Sequence, residues 1–302
     1  MNKRLIGVLA LASIFSVGAM TGLFISASHA GFTSEALAKT VKSMNKRHPN
    51  PNPDSKSSRG IAELTTKSVK VANFYKIDAG GAVSVVYTQG ALKPVEITAP
   101  ADVMPYVMVE VNGGHLKAYT NFGNHGNRSL NKDIVDVQIK VSSPELRGLD
   151  FSTSASFTHK GELDCPNGLD VDASTASSVT LSGVITPRLN IESSTAASVY
   201  VNLANAKSTD LEVSSSANLV ITDIKCTTLK AEVTSGGTAN LSGQGKTGDF
   251  ETSSGGTLHA TSLALDKAYV SSSSGSSVMI CAKQADIDRS SGATVSNVCS
   301  KP

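Results

Sequence analysis

From Asp150 to the end of the chain, apolar and polar residues alternate in short runs, as in Leu189-x-Ile191 and Val199-x-Val201-x-Leu203. A period of two is that of a β-strand, and the 3.6-residue period of a helix is missing. The runs recur around small residues at Ser154, Ala176, Ala196, Ser216, Gly236, Gly255, Gly275 and Gly292, spaced 22, 20, 20, 20, 19, 20 and 17 apart. With these as anchors, every residue five before is apolar, from Leu149 and Val171 to Val270 and Ile287. Every residue three after is apolar too, from Phe157 and Val179 to Val278 and Val295. The two residues before each anchor are always Ser or Thr. This pattern predicts two or three short strands per repeat, joined by tight turns. It reads as an all-β solenoid with about 20 residues per coil and equivalent residues stacked about 4.8 Å apart. So much Ser and Thr also fits a disordered mucin-like stalk, but hydroxyls in register with apolar columns argue against one. Their side chains are expected to bond from coil to coil.

Alternation continues upstream in Val83-x-Val85, Val95-x-Ile97, Val107-x-Val109-x-Val111 and Val135-x-Val137-x-Ile139-x-Val141. Asn112-Gly113-Gly114 reads as a hairpin turn and Phe122 to Asn131 as a polar loop. The expected organisation is a signal peptide over 1–30, a linker over 31–66 and a β-helix domain over 67–302. Within the domain, 67–148 supplies first coils and a cap, and 149–302 the regular repeats. A cap is needed because an open solenoid end exposes a strand edge. The leader rests on Lys3 and Arg4, the apolar stretch Leu5 to Ile25, and the small-x-small site Ser28-His29-Ala30. Its apolar run approaches the length of a bilayer span, but interspersed Gly and Ser and the cleavage site favour removal. After cleavage no stable membrane span is expected, and the product is exported. The stretch His48 to Ser58 is Pro- and Asn-rich with little to bury. It reads equally as a tether or as a leader without a role.

Composition narrows the classes. The chain has 302 residues, 40% hydrophobic, 17% charged and 5% aromatic, without Trp. Loss of Lys3 and Arg4 lowers the 27 basic residues to 25, equal to the 25 acidic ones. Zero net charge does not fit a nucleic-acid partner.

Three segments carry a family likeness: Phe74-Tyr75-Lys76-Ile77-Asp78 before a Gly-bounded strand pair, the Val111-Asn112-Gly113-Gly114-His115-Leu116 hairpin, and Ser143-Pro144-Glu145-Leu146 leading into the Ser-rich repeats. Over about residues 70 to 300 the chain resembles the family named putative auto-transporter adhesin, head GIN domain, of bacterial envelope proteins. The resemblance implies a single-stranded right-handed β-helix and an adhesin-like role. Ser174-Thr175-Ala176-Ser177 and Ser194-Thr195-Ala196-Ala197 stand where the family often has Ser-Gly-Ser-Gly turns. The chain ends soon after the last repeat, with no room for a translocating barrel, so self-export is not expected.

Four positions before the anchors lies an acidic column: Asp150, Asp172, Glu192, Glu212, Glu232, Glu251, Ser271 and Asp288. Asp170, Asp210, Asp249 and Asp286 add to the same face. Stacked like charges repel. Clustered carboxylates suit a hard cation such as calcium. The spacing favours instead compensation by Arg188, Lys207, Lys246, Lys267 and Lys283, eight or nine positions before the anchors. Four positions after the anchors, Thr158, Thr180, Tyr200, Val220, Asn240, His259, Met279 and Ser296 form a mixed stripe. Of these, Tyr200, Val220, Asn240, His259 and Met279 are the candidate contact residues.

Cys281 and Cys299 fall six and seven positions after successive anchors and are expected to form a disulfide. Cys165 and Cys226 share a phase three coils apart, too far to bond. No Cys-x-x-Cys, metal-ligating His trio or nucleophile–His–acid set is present, so no cofactor, metal site or catalytic residue is expected. Repeat lengths of 17 to 22 leave no loop long enough to wall a cleft. The function read from the sequence is a non-enzymatic, adhesin-like envelope protein presenting flat faces to a glycan or cell-surface protein. The alternatives are a structural or envelope-stress role and, further off, a polysaccharide-acting enzyme. Ligand, oligomeric state and location in periplasm, cell surface or medium stay open.

Overall fold

The computed structural model of the chain describes residues 63–122 and 137–299. The expected signal peptide, residues 31–62 of the expected linker and most of the polar loop expected after Phe122 lie outside them. The described residues are mostly strand, with turns between the strands and one short 3-10 helix at Met104–Tyr106. The N-terminal part holds β1 (Leu64–Val69), β2 (Lys76–Gly80), β3 (Val83–Gln89), β4 (Val95–Pro100), β5 (Val107–Asn112), β6 (His115–Thr120) and β7 (Val137–Ser143). The solenoid continues with β8 (Gly148–Phe151), β9 (Ser156–His159), β10 (Leu163–Asp164) and β11 (Leu169–Ala173). Long strands follow: β12 (Ser178–Ser193), β13 (Ser198–Val213), β14 (Asn218–Val233), β15 (Thr238–Thr252), β16 (Thr257–Ser272) and β17 (Ser277–Arg289). The last is β18 (Thr294–Asn297).

Each long strand is most of one coil, and it pairs in parallel with the same positions of the next. Ser178 opposes Ser198, Ile191 opposes Leu211 and Ser193 opposes Val213. The ladder skips Gly183 and Pro187, which mark two corners. A coil therefore has three flat segments: a first face over 178–182, a second over 184–186 and a third over 188–193. The first corner demands a left-handed backbone. Gly183, Leu203, Asp223 and Gly243 hold it at φ 65°, 60°, 56° and 126°. An added Cβ on Gly243 would fall 2.1 Å from the Ile224 carbonyl oxygen, so glycine is required there.

The third corner is the Ser/Thr-rich turn. Its anchor and the residue before are both left-handed, as in Thr195 and Ala196 at φ 51° and 61°. The turn closes through Ala197 N–H to Ser194 O at 3.0 Å, and the ladder crosses it through Ala196 N–H to Ser215 O at 3.0 Å. Main chain, not hydroxyls, thus carries the coil-to-coil bonding expected of the side chains. At this corner, among the described residues, hydroxyl-to-hydroxyl bonding joins only the strand-end Thr252 and Ser272 and the turn residue Ser276. The reason is geometric: two consecutive left-handed residues turn their side chains outward, where small polar groups are tolerated.

Except for Ile287 and Val295 in the last coil, the columns predicted to be apolar face inward and are buried, among them Leu149, Ile191, Leu211, Phe250, Val179, Leu219 and Leu258. At the N-terminal end the core ends in packed aromatics. The Phe151 and Phe157 rings lie 5.4 Å apart, and Tyr87 stacks on Phe157 at 6.1 Å. The buried Tyr87 hydroxyl donates to Ser143 O at 3.0 Å.

Chain order and stacking order part company in this region. β2 lies between β6 and β8, and β3 between β7 and β9, all parallel. The chain thus builds one coil from β2 and β3, leaves it, and lays β6 and β7 beneath. It then passes back to start β8 on the other side. β5 and β6 form the antiparallel hairpin expected at Asn112-Gly113-Gly114. β1, β4 and β7 form an antiparallel patch over this end. β1 begins at Leu64, so ordered strand starts ahead of the domain boundary read at residue 67.

Candidate functional site

Two outward faces carry the predicted site residues. On the first face the contact stripe is a continuous column. Thr180 opposes Tyr200, Tyr200 opposes Val220, Val220 opposes Asn240, Asn240 opposes His259 and His259 opposes Met279. Tyr200 is its most open member, 42% exposed. Two residues earlier in each coil runs a second column not recognised from the sequence: Ser156, Ser178, Ser198, Asn218, Thr238, Thr257, Ser277 and Thr294. Every member is a hydroxyl or an amide. The signal was present, since a polar residue stands two after every anchor. From Ser156 and Thr158 to the last coil both columns are free of carboxylates, lysines and arginines; towards the N-terminal coils the stripe continues through Val86 to Lys140.

The third face is mainly acidic. Register places Asp78, Asp150, Asp172, Glu192, Glu212, Glu232 and Glu251 in one uninterrupted column. Ser271 then separates Glu251 from Asp288. Asp78 extends the predicted column by one coil. Residues Ile77-Asp78 and Ala82 repeat the apolar–acid–anchor spacing, but Gly80-Gly81 replace the usual hydroxyls before the anchor. The parallel column of Gly148, Asp170, Asn190, Asp210, Lys230, Asp249, Tyr269 and Asp286 runs alongside, with Lys230 between two aspartates. Between the two rows lies a shallow groove of about 450 Å³, closed at one end by Lys76 and His115. A furrow thus forms without inserted loops, because outward side chains two residues apart stand as parallel ridges. His115 Nδ1 lies 3.1 Å from Asp78 Oδ2. Asn190 Nδ2 donates to Asp170 Oδ1 at 2.8 Å.

The expected compensation by a basic column forms only at Arg188 and Asp170 among the described residues. Among the described residues the ion pairs join Asp78, Glu96, Glu145, Asp170 and Asp266 to their partners, and none involves the predicted column from Asp150 to Asp288. Arg188 reaches Asp170 at 4.0 Å. Lys267 lies over the Tyr269 ring at 4.4 Å, and Lys283 pairs with Asp266 at 2.8 Å. The second corner explains this. It turns Lys246 and Lys283 onto the second face, where they line a groove with Lys225 and Gln244. The described residues contain no cluster of three His, Cys, Asp or Glu side chains placed to hold a metal ion.

Crowding shows in the carboxyls. Burial, then the neighbouring Asp78, pushes the Asp150 carboxyl above its ordinary value of 3.8, against the pull of His115 and Lys76. Burial, then Asp150 and Glu192, raises Asp172 likewise. A raised folded-state pKa means that the folded chain binds protons more tightly than the unfolded one. Stability is therefore lost as pH rises through and above the ordinary carboxylate range, and regained on acidification. Asp150→Asn is expected to raise stability at neutral pH by about 0.5–1 kcal/mol, and Asp172→Asn likewise. The gain should vanish below the carboxylate range. Urea unfolding at a series of pH values checks this, and a loss of stability at neutral pH would contradict it.

Cys281 and Cys299 form the predicted disulfide, with Cα atoms 4.7 Å apart. Cys165 and Cys226 are free thiols. Register puts Cys165 opposite Thr186, then Ala206, then Cys226, three coils apart as read. Burial pushes their thiols up to about 12 and about 11, so neither is a thiolate nucleophile at neutral pH. His159, buried, is held by the carbonyls of Tyr87 and Glu162 at 3.2 Å each. No helix among the described residues is long and apolar enough to cross a membrane.

The family described as “putative auto-transporter adhesin, head GIN domain” matches residues 73–300. The chain belongs to that family. Two solved structures share the head GIN chain's fold. A putative adhesin from Bacteroides fragilis is 18% identical with a TM-score of 0.52, covering 78% of this chain and 97% of its own. A putative adhesin from Parabacteroides merdae is 20% identical with a TM-score of 0.52, covering 79% of this chain and 98% of its own. No curated protein matches the sequence.

Proposed function

We propose that this head GIN protein is an exported, non-enzymatic binding protein of the cell envelope, and that its first face holds a glycan. The observation that carries the reading is the pair of columns on that face. A ladder of hydroxyls and amides runs beside Tyr200, Asn240, His259 and Met279, without a carboxylate, lysine or arginine in either from Ser156 and Thr158 to the last coil. Hydroxyls and amides donate and accept hydrogen bonds, which matches the mixed chemistry of sugar hydroxyls. An exposed tyrosine ring offers the apolar platform that a sugar face needs. Columns repeating once per coil suit a ligand that is itself repetitive. The acidic third face would repel anionic ligands and leave the neutral face to select. The absence of a nucleophile–base pair in the reading of the sequence supports binding without turnover.

The test is retention of the purified protein on a panel of immobilised neutral and charged glycans and on cell-surface extracts, with released sugar ends read from the same wells. Retention on neutral glycans without release is expected. Tyr200→Ala and His259→Ala should each weaken it about tenfold or more, as loss of an aromatic anchor does. Release of sugar ends would overturn the non-enzymatic reading. Retention on a protein fraction alone would move the ligand to a surface protein, and no retention would favour a structural role.

A further inference from the structure

The C-terminal end of a solenoid faces a problem that every interior coil escapes. An interior strand bonds to a coil on each side, whereas the last coil presents free N–H and C=O groups on which another chain can stack. Here β18 covers only part of that edge. It pairs with Ser277, Val278, Met279 and Ile280. The Asn297 side chain then takes the place of a strand at the next position. Its amide accepts from Ala282 N–H at 3.0 Å and donates to Ala282 O at 2.9 Å. The Cys281–Cys299 disulfide ties this tail down. From Lys283 to Arg289, β17 has no strand on its outer side among the described residues.

That open stretch also exposes apolar groups, with Ile287 39% exposed over Val270. Its sequence changes character at one position. Arg289 occupies the inward column that runs through Val213, Val233, Thr252 and Ser272. Those four are buried, and Arg289 is exposed. A charged side chain at an inward position blocks a further layer, because stacking there would bury the guanidinium against the core without a partner. Asp286 and Asp288 stand on the outward side of the same strand and add like charge to any copy brought edge to edge.

We propose that this end is a built-in stop, in which Arg289 with Asp286 and Asp288 prevents a second copy of the chain from pairing with β17. The partner excluded is another molecule of the same chain, pairing tail to tail in a twofold arrangement. The test compares the oxidised protein with Arg289→Val, Arg289→Lys and the combined Asp286→Asn/Asp288→Asn/Arg289→Val variant. Sedimentation across a wide concentration range and amide exchange of residues 283–289 are read together. The parent and Arg289→Lys should stay monomeric. Arg289→Val should self-associate at high concentration and the combined variant at lower concentration, with exchange in β17 slowed about tenfold or more. If Arg289→Val unfolds, Arg289→Ser, which carries the side chain of the preceding coil, takes its place. A folded combined variant that stays monomeric overturns the proposal. So does a parent protein that already associates through this edge, or an Arg289→Lys variant that associates as Arg289→Val does.

Discussion

Replacing Phe250 with alanine lowers stability by about 3–5 kcal/mol. Phe250 is fully buried in the inward column between Ala231 and Val270. Its ring needs room that the neighbouring coils do not leave, and the sequence provides that room two residues earlier. A Cβ added at Gly248 would sit 2.7 Å from the Phe250 ring and 2.8 Å from Leu265 Cδ1. The preceding coil solves the same space the other way round, with Leu229 opposite Gly248 and Ala231 opposite Phe250. The two positions therefore trade volume. Gly248→Ala alone should cost about 1–3 kcal/mol by overpacking. In the Phe250→Ala background the same change should cost little or stabilise. Gly248→Leu with Phe250→Ala recreates the Leu229/Ala231 arrangement and should recover most of the loss. Urea unfolding of the four proteins gives the coupling directly. Additive costs would mean that the two side chains do not share a cavity.

Converting Cys281 and Cys299 to serine should cost about 3 kcal/mol, the value for releasing a loop of this order, here closed over a separation of 18 residues. The loss should be local. Each coil touches only its neighbours, so a solenoid frays from an end rather than failing as a whole. Amide exchange should quicken over β18 and the outer half of β17 and leave the coils around Ile191 and Leu211 as they were. Met279, the last member of the contact stripe, lies in the loosened coil, and Tyr200 does not. Any ligand held near Tyr200 should therefore bind the serine variant normally. Exchange that quickened equally along the chain would refute this picture.

These two results rest on features of different legibility. The alternation around Leu189, Ile191, Val199 and Val201 and the roughly 20-residue anchor spacing were enough to read strands, coils and register. Once coils stack in register, residues one repeat apart must be neighbours, so the acidic column, the contact stripe and the Cys281–Cys299 pairing followed. The membership of Asp78 did not. Gly80-Gly81 hide the first anchor, and the chain inserts β4 to β7 between the first coil and the second, so adjacency in space is lost as periodicity in sequence. The partners of the lysines were misread for a related reason. Spacing tells which column a residue occupies, but not that a corner turns Lys246 and Lys283 onto another face.

The sequence by itself thus determined the repeat, the inward and outward positions of each strand and the cysteines that meet, because all of these are local periodicities multiplied by stacking. The three-dimensional arrangement alone settled the stacking order of the N-terminal coils, the main-chain bonding of the turns, the lack of ion pairs along the acidic column from Asp150 to Asp288 among the described residues and the open edge of β17. Each depends on backbone direction at corners and ends, where the repeat is interrupted and periodicity no longer reports which groups are neighbours.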